Sequence, residues 1–527
     1  MKVLVSDNLG EEGIRIFQAQ AGIEVDVITG LPPEELKKII GGYDALVIRS
    51  ATKVTADILS AADRLKVVGR AGIGLDNVDI EAATKRGVVV MNTPGGNVVT
   101  TAEHAIAMMM AATRNIPQGT ATLKSGRWEK KKLQGRELTG KTLGVIGFGK
   151  IGSVVADRAK GLKMRVIIHD PVVQPDVVNK QGYEAVSLED LYEQADYISI
   201  HVPKSKSTQG MINKAAFDQM KDGVMVINCA RGGIVDEDAL YEAVASGKVA
   251  RAALDVFATE PPPADFPLLK LDNIIATPHL GASTLEAQTN VAVAIAEQII
   301  EYLIHNNIIN AVNVPAVSGK MLEKLSPFIN VADRMGCMQA QFAAGQIREI
   351  ELEYNGDFQD MDMSPVTTAF VKGLLNFLVG ETVNSVNAQV MAKEMGIRIS
   401  EAATAESEEY INLIKSRVVT TAGECRVAAT VFGKADARMV RIDDFRIEII
   451  PQGHLMLIHN LDEPGAIGSV GTTLGDFNVN ISRMQVGREI SGKNNIILIR
   501  TDSPITEEIA AAVQALPKVK SIKLFEL

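Results

Sequence analysis

Cysteine, tryptophan and long apolar runs are what this chain of 527 residues has least of: it holds three cysteines and one tryptophan. Cys229, Cys337 and Cys425 are scattered, with neither the spacing of a metal site nor a disulfide framework. No metal is therefore expected, and a reducing, cytoplasmic setting is. No uninterrupted apolar run approaches the roughly 18 residues of a spanning helix. The opening MKVLVSDNLG has the pattern of a first strand, not of a secretory signal, so no membrane partner is expected. Basic excess is missing too. With 54 Lys and Arg against 64 Asp and Glu, the net charge of −10 provides no field to draw nucleic acid or an acidic membrane.

What remains is ordinary for globular protein, with 46% hydrophobic and 22% charged residues. One core stops growing well below this length, so about three or four domains are expected. The most informative stretch is 142–170, TLGVIGFGKIGSVVADRAKGLKMRVIIHD. A buried strand runs into Gly147-x-Gly149-x-x-Gly152, then a helix, then a second strand ending on Asp170. Gly147 allows the tight turn, Gly149 lets the backbone approach a pyrophosphate, and Gly152 lets helix and strand pack closely. The helix start presents free N–H groups and partial positive charge to phosphates. Asp170 is placed to accept from both ribose hydroxyls of NAD. Pro171, Val172, Val173 and Gln174 follow, with no cation for the 2′-phosphate of NADP. The expected cofactor is NAD.

Short β-branched runs at 2–6, 23–27, 45–49, 65–69 and 88–91 alternate with helical stretches such as 33–40, implying a parallel α/β sheet. A long Ala/Met helix at 100–113 follows. The nucleotide unit then continues through strands at 197–201, 224–228, 252–255 and 274–276. A helix at 285–305 is expected to return to the first block and make it discontinuous. Beyond 314 the pattern changes to helices at 320–344, 364–378 and 385–395 among alternating strands such as 347–354 and 424–432. From His454 the order is strand, helix, strand, a turn at Ser491-Gly492, strand, helix, strand: a ferredoxin-like βαββαβ unit. The expected boundaries are 1–98 with 283–313 (substrate-binding domain), 99–282 (NAD-binding Rossmann domain), 314–452 (an intervening α+β domain) and 453–527 (a small regulatory domain).

Three candidate chemical groups follow nucleotide-unit strands, at the carboxyl ends where a doubly wound sheet binds ligands. They are Arg231 in NCARGG, Glu260 in LDVFATEPP and His279 in TPHLGAS. The guanidinium can hold a carboxylate and polarise the oxygen being oxidised. The imidazole can take the hydroxyl proton as hydride leaves, and the Glu can orient it and raise its pKa. Singly, each has a bland reading: a turn arginine, a solvated loop acid, a loop histidine. Their common placement at strand ends favours the catalytic one.

The glycine motif with Asp170, NCARGGIVDE, Asp255 with Glu260, and PHLGAST resemble the D-isomer-specific 2-hydroxyacid dehydrogenase family. RSATKVTADIL, VGRAGIGLDNVD and NTPGGN resemble its D-3-phosphoglycerate dehydrogenase branch, over nearly the whole chain. The resemblance implies a flavodoxin-like substrate domain and the catalytic set Arg231, Glu260 and His279. It implies cofactor contacts from Ile73, Lys150, Ile151, Asp170, Val202, Cys229, Ala230, Arg231, Asp255, His279, Gly281 and Ala282, beside the three motif glycines. Substrate contacts are implied for Gly72 (in the carboxylate-holding Ala71-Gly72-Ile73 loop) and for Arg49, Ser50, Lys53 and Asn97 near a phosphorylated end, which needs cationic or amide donors. Trp128 in SGRWEKKKL resembles an arm that packs on a partner subunit of a homo-oligomer, a tetramer by this resemblance, bringing Lys130 or Lys131 to the neighbouring site.

The last segment resembles an ACT domain, through NLDEPGAIGSV and FNVNI. It implies an L-serine effector held by Asn460, Asp462 and Asn480 between two such domains. The implied substrate is D-3-phosphoglycerate. Reduction of glyoxylate, hydroxypyruvate or 2-oxoglutarate on the same scaffold is an alternative, and a NAD-sensing corepressor is another. The C-terminal tail and the cationic N-terminal loop weigh against the first, and the folded pattern of the tail weighs against the second.

Overall fold

The computed structural model describes residues 1–315, 319–358, 361–380, 383–406, 409–433, 435–488 and 494–527; the expected turn at Ser491-Gly492 lies outside them. The first block is a five-stranded parallel sheet in the order Glu24–Val27, Lys2–Val5, Ala45–Ile48, Val67–Arg70, Val89–Asn92. Its inner strands are β-branched and buried on both faces, as a parallel sheet requires.

The helix Leu285–His305 covers one face, opened by Thr284, whose Oγ1 accepts from Ala287 N at 3.2 Å. It packs Val291, Ile295 and Ile299 against Val3, Val47, Val67 and Val89. A Cβ on Gly69 would stand 2.9 Å from Ile295 Cγ1, so this strand needs glycine for the helix to seat. On this return of the chain we propose the division 1–98 with 283–313, 99–282, 314–452 and 453–527.

The second sheet has seven parallel strands in the order Ile274–Ala276, Val249–Leu254, Val224–Asn228, Tyr197–Ile200, Thr142–Ile146, Arg165–His169, Glu184–Ala185. This is the Rossmann order. The direction of winding reverses between Thr142–Ile146 and Tyr197–Ile200, opening a ligand crevice at the carboxyl ends. The helix Val98–Arg114 lies against this sheet through Ala105, Met109 and Ala112. It ends at Asn115, whose φ of 53° turns the chain into a further helix, Ile116–Lys124, that the sequence pattern does not separate.

The intervening sheet has six strands: Arg398–Thr404, Ile347–Gly356, Asn412–Thr420, Glu424–Phe432, Asp436–Ile442, Phe445–Ile449. Only its first pair is parallel. The helices Gly319–Phe342 and Ser364–Val379 approach closely because a Cβ on Gly336 would meet the Phe370 carbonyl and one on Gly373 the Asp333 carbonyl. The helix expected at 385–395 is shorter, Ala388–Glu394. Its missing first turn serves as an anchor: Val386 inserts into the core of the first block, and Asn384 Nδ2 donates to Gly87 O at 2.9 Å. Lys85 and Glu394 add an ion pair at 3.1 Å.

The last domain is a four-stranded antiparallel sheet ordered Ile481–Arg488, Asn494–Thr501, His454–Leu461, Val519–Glu526, with the helices Ala466–Asp476 and Glu507–Gln514 on one face. Its other face is also covered. Leu455, Leu457, Ile496, Leu498 and Phe525 share a core with the helix Gly319–Phe342, and Phe525 stacks edge-on against Phe342 at 5.0 Å. No helix among the described residues is long and apolar enough to cross a membrane.

Candidate active site

The crevice is shaped by the three motif glycines. Gly147 has a φ of 97° and donates its N–H to His169 O at 2.9 Å, while a Cβ there would stand 2.8 Å from the His201 backbone. A Cβ on Gly152 would collide with the Gly147 carbonyl. Gly149 opens the helix Lys150–Gly161 with no side-chain cap, and nothing lies within 4 Å of where its Cβ would be. The helix start at Lys150 and Ile151 thus faces open space with its positive end uncovered, a surface that fits a pyrophosphate.

At the end of the next strand Asp170 accepts from Phe148 N at 2.6 Å, Val172 N at 2.8 Å and Val173 N at 2.9 Å. Burial pushes its carboxyl up, but the N–H groups of Val173, Phe148 and Val172 outweigh that and hold it below the usual carboxylate range. Asp170 is therefore a fixed anion, suited to ribose hydroxyls and hostile to a 2′-phosphate. Val202 and Cys229 are buried in the crevice wall, and burial pushes the Cys229 thiol far up, so it is inert. His201, half-buried and 2.7 Å from Ser199 Oγ, is pushed down to about 4 by desolvation and is neutral.

Arg231, Glu260 and His279 converge beyond their strands. His279 Nδ1 stands 2.7 Å from Glu260 Oε2, and Glu260 Oε1 accepts from Phe257 N at 3.0 Å. The bond to Glu260 raises the His279 pKa against the opposing effect of burial. Burial pushes Glu260 up, and His279 together with the Phe257 N–H more than compensates, leaving it below its ordinary value. His279 has a φ of 55° and donates its N–H to Asp255 O at 3.0 Å, which fixes the loop as well as the ring.

Asp255, expected to touch cofactor, is fully buried. It accepts from Thr277 Oγ1 at 2.6 Å, Leu280 N at 2.7 Å and Gly281 N at 2.8 Å, with His104 Nε2 at 3.1 Å. Its carboxylate holds the 277–282 loop, which includes Gly281 and Ala282. His104 belongs to the same network, a role that its place in an Ala/Met helix does not suggest.

Arg231 comes from the Asn228–Arg231 turn, in which Asn228 Oδ1 accepts from Ala230 N at 3.1 Å and Nδ2 donates to Arg231 O at 3.0 Å. Its Nε donates to Asp76 Oδ2 at 3.0 Å, crossing from the nucleotide sheet to the loop after Val67–Arg70. That loop carries Gly72 and Ile73 and is pinned by Asn92, whose Nδ2 donates to Ile73 O at 2.6 Å.

Arg49 donates from NH1 to Asn8 O at 2.8 Å, while Asp7 accepts from its backbone N–H at 2.6 Å. Ser50 and Lys53 are near it in the chain, Ser50 exposed and Lys53 exposed, and Asn97 begins the helix Val98–Arg114 with its Oδ1 buried and unbonded. Arg70 and Asp76 lie inside VGRAGIGLDNVD, where sequence alone gives them no role. Arg70 is partly buried between these loops, with Nε donating to Arg49 O at 3.2 Å.

Trp128 is 81% exposed in the single chain, with Lys130 and Lys131 in a short 3₁₀ turn beyond it. In the C-terminal domain Asn460 is buried, and Asp462 accepts from Asn495 Nδ2 at 3.0 Å and pairs with Arg488 at 3.1 Å. Asn480 bonds Asp502 instead. Asn460 lies at the end of its strand opposite Asn495, whereas Ile481, next to Asn480, lies opposite Thr501, which faces His454 at the other end. One chain does not bring the three effector candidates together.

Residues 106–281 match the model of the D-isomer specific 2-hydroxyacid dehydrogenase NAD binding domain, 324–443 that of the D-3-phosphoglycerate dehydrogenase intervening domain, and 454–518 that of the ACT domain. The chain is 44% identical to the D-3-phosphoglycerate dehydrogenase of Archaeoglobus fulgidus and 41% identical to that of Methanocaldococcus jannaschii, over 100% of both chains in each case. Among solved structures, the TT0316 protein from Thermus thermophilus superposes with a TM-score of 0.55 at 35% identity, covering 59% of this chain and 100% of its own. The chain belongs to the D-isomer-specific 2-hydroxyacid dehydrogenase family, in the long D-3-phosphoglycerate dehydrogenase form with intervening and ACT domains. It is an NAD-dependent oxidoreductase that acts on a D-2-hydroxyacid.

Proposed function

We propose that this protein oxidises D-3-phosphoglycerate to 3-phosphohydroxypyruvate with NAD, opening L-serine biosynthesis. One observation carries the reading: the Glu260–His279 pair at 2.7 Å feels the charge of Arg231, which is joined through Asp76 to the glycine loop after Arg70. Glu260 occupies Nδ1 and leaves Nε2 for the substrate hydroxyl. As the O–H proton passes to His279, the C2–H bond breaks and the C2–O double bond forms. NAD, when bound, accepts the hydride. Arg231 holds the carboxylate and polarises the reacting oxygen, and its bond to Asp76 keeps the guanidinium plane fixed. Near neutral pH the raised histidine pKa favours proton uptake from a hydroxyl.

NADH formation with D-3-phosphoglycerate, compared with D-lactate, D-glycerate and 2-hydroxyglutarate, tests this. The phosphorylated acid should give the highest kcat/KM; preference for an unphosphorylated acid would replace the reading with a reductase of glyoxylate, hydroxypyruvate or 2-oxoglutarate. We further infer a homo-oligomer, a tetramer, in which ACT domains pair to hold L-serine. The separation of Asn480 from Asn460 and Asp462 supports this, since a second copy is needed to unite them. Calorimetry with L-serine checks it, and no heat at millimolar serine would assign the domain to assembly alone.

A further inference from the structure

The loop that carries His279 is gripped from a second element. Thr277, Leu280 and Gly281 donate to the buried Asp255 carboxylate from within the loop, whereas His104, 3.1 Å from Asp255 Oδ1, reaches it from the helix Val98–Arg114. His104 Nε2 also stands 3.3 Å from Thr277 Oγ1, whose own hydrogen goes to the carboxylate at 2.6 Å. Nε2 therefore meets two acceptors and must itself carry the hydrogen. Burial pushes the Asp255 carboxyl up, and His104, Thr277 and Leu280 outweigh that and keep it ionised. Thr101, three residues earlier on the same helix face, donates to Gly281 O at 2.9 Å. A Cβ on Gly281 would stand 3.1 Å from Asp255 Oδ2 and 3.5 Å from Thr101 Cγ2, so the loop is held between carboxylate and helix. His279 sits in this loop at a φ of 55°, a left-handed conformation that a residue other than glycine keeps only where its surroundings over-determine it.

We propose that His104 is a positioning residue for the reaction: through Asp255 and Thr277 it sets the 277–282 loop, and so aims the His279 imidazole at the substrate hydroxyl. This rests on the reading of His279 as the base, and it holds for whichever D-2-hydroxyacid is oxidised. Ala105, Met109 and Ala112 seat the helix on the nucleotide sheet, which gives His104 a rigid base. Without that grip the left-handed turn is free to relax, and a misplacement of about 1 Å at a reacting group costs roughly 100-fold in rate.

The test compares His104→Ala, His104→Gln, His279→Ala and the double variant His104→Ala/His279→Ala in the full-length enzyme. The substrate is D-3-phosphoglycerate or, if the unmodified enzyme prefers another D-2-hydroxyacid, that acid. NADH binding, followed by fluorescence, serves as the check on folding. His104→Ala should lower kcat roughly 10- to 100-fold, with KM and NADH affinity within about threefold of the unmodified values. His104→Gln, whose amide can offer an N–H to Asp255, should recover most of the lost kcat. In the double variant the loss beyond His279→Ala alone should stay under about threefold, because a residue that acts through His279 then has nothing to position. A kcat within about threefold in His104→Ala, a loss that falls on KM or NADH binding, no recovery in His104→Gln, full additivity in the double variant, or loss of NADH binding in both His104 variants would each overturn the proposal. If His279→Ala keeps its turnover, the reading of the reaction centre has failed and takes this proposal with it. A crippled His279→Ala beside an unaffected His104→Ala sinks the proposal alone.

Discussion

The nucleotide crevice and the ACT domain begin alike and end differently. Each has a helix opened by a glycine without a side-chain cap, Gly149 before Lys150–Gly161 and Gly465 before Ala466–Asp476, and at both glycines a Cβ would meet open space. By contrast, helices such as Leu188–Gln194 and Glu237–Ala245 are capped by Ser187 and Asp236. In the Rossmann sheet the parallel strands all deliver their ends to one edge, so Asp170, Arg231, Glu260 and His279 converge within one chain. In the antiparallel ACT sheet the connections alternate between edges, and Asn460 and Asn480 are sent to opposite ends. A parallel sheet can gather its candidates within one chain; this antiparallel one holds them apart.

The largest effect should come from the self-contained site. His279→Ala should lower turnover by about 10²–10⁴-fold in steady-state assays, the range for a lost acid–base group. Mixing His279→Ala with Arg231→Ala subunits should restore nothing, because both groups act in one chain. Recovered activity would break the comparison. Next in size, Asp170→Ser should weaken NAD binding roughly 10- to 100-fold, as lost bonds to a charged acceptor do, and narrow the preference over NADP. Equal efficiency of the unmodified enzyme with both cofactors would end this account of Asp170.

Glu260→Gln should act through pH. The carboxylate raises the His279 pKa, and oxidation needs the neutral ring, so the acidic limb of kcat against pH should move to lower pH in the variant. A limb that stays in place would detach Glu260 from the base. The smallest effect should be regulatory: Asn460→Ala and Asn480→Ala should each abolish serine binding by calorimetry, and mixed oligomers of the two should recover a fraction of the sites. Failure to recover any would mean that one chain holds the effector after all.

Most of the candidate site's geometry was legible because it is local to strand ends. The motif glycines, Asp170, Arg231, Glu260 and His279 each sit within a few residues of a β-branched run whose end is visible in the pattern. Arg70 and Asp76 were not assigned, because their meaning depends on what faces them from the other sheet: Arg231 lies 155 positions away from Asp76 in the chain. The partners of Asp255 were not legible either, since burial and the donors that reach it from the 277–282 loop and His104 cannot be read from spacing. The helix at 385–395 lost its first turn to an anchor on Gly87, a tertiary demand that overrides propensity. The ACT strands were clear from alternation, but alternation does not say which edge a loop will reach.

The covered back of the ACT sheet has a mechanical consequence. Leu455, Leu457, Ile496, Leu498 and Phe525 have no separate interior on that side, and Gly453 and Leu527 exchange backbone bonds at 2.7 and 3.2 Å. A chain ended at residue 453 would strip an apolar wall from the helix Gly319–Phe342 and should aggregate in sedimentation runs, whereas one ended at 314 should not. The last two domains thus share one core, and Asn384 and Glu394 tie the intervening domain to Gly87 and Lys85 of the first block, so loss of the last domain acts on a wall that the other domains depend on.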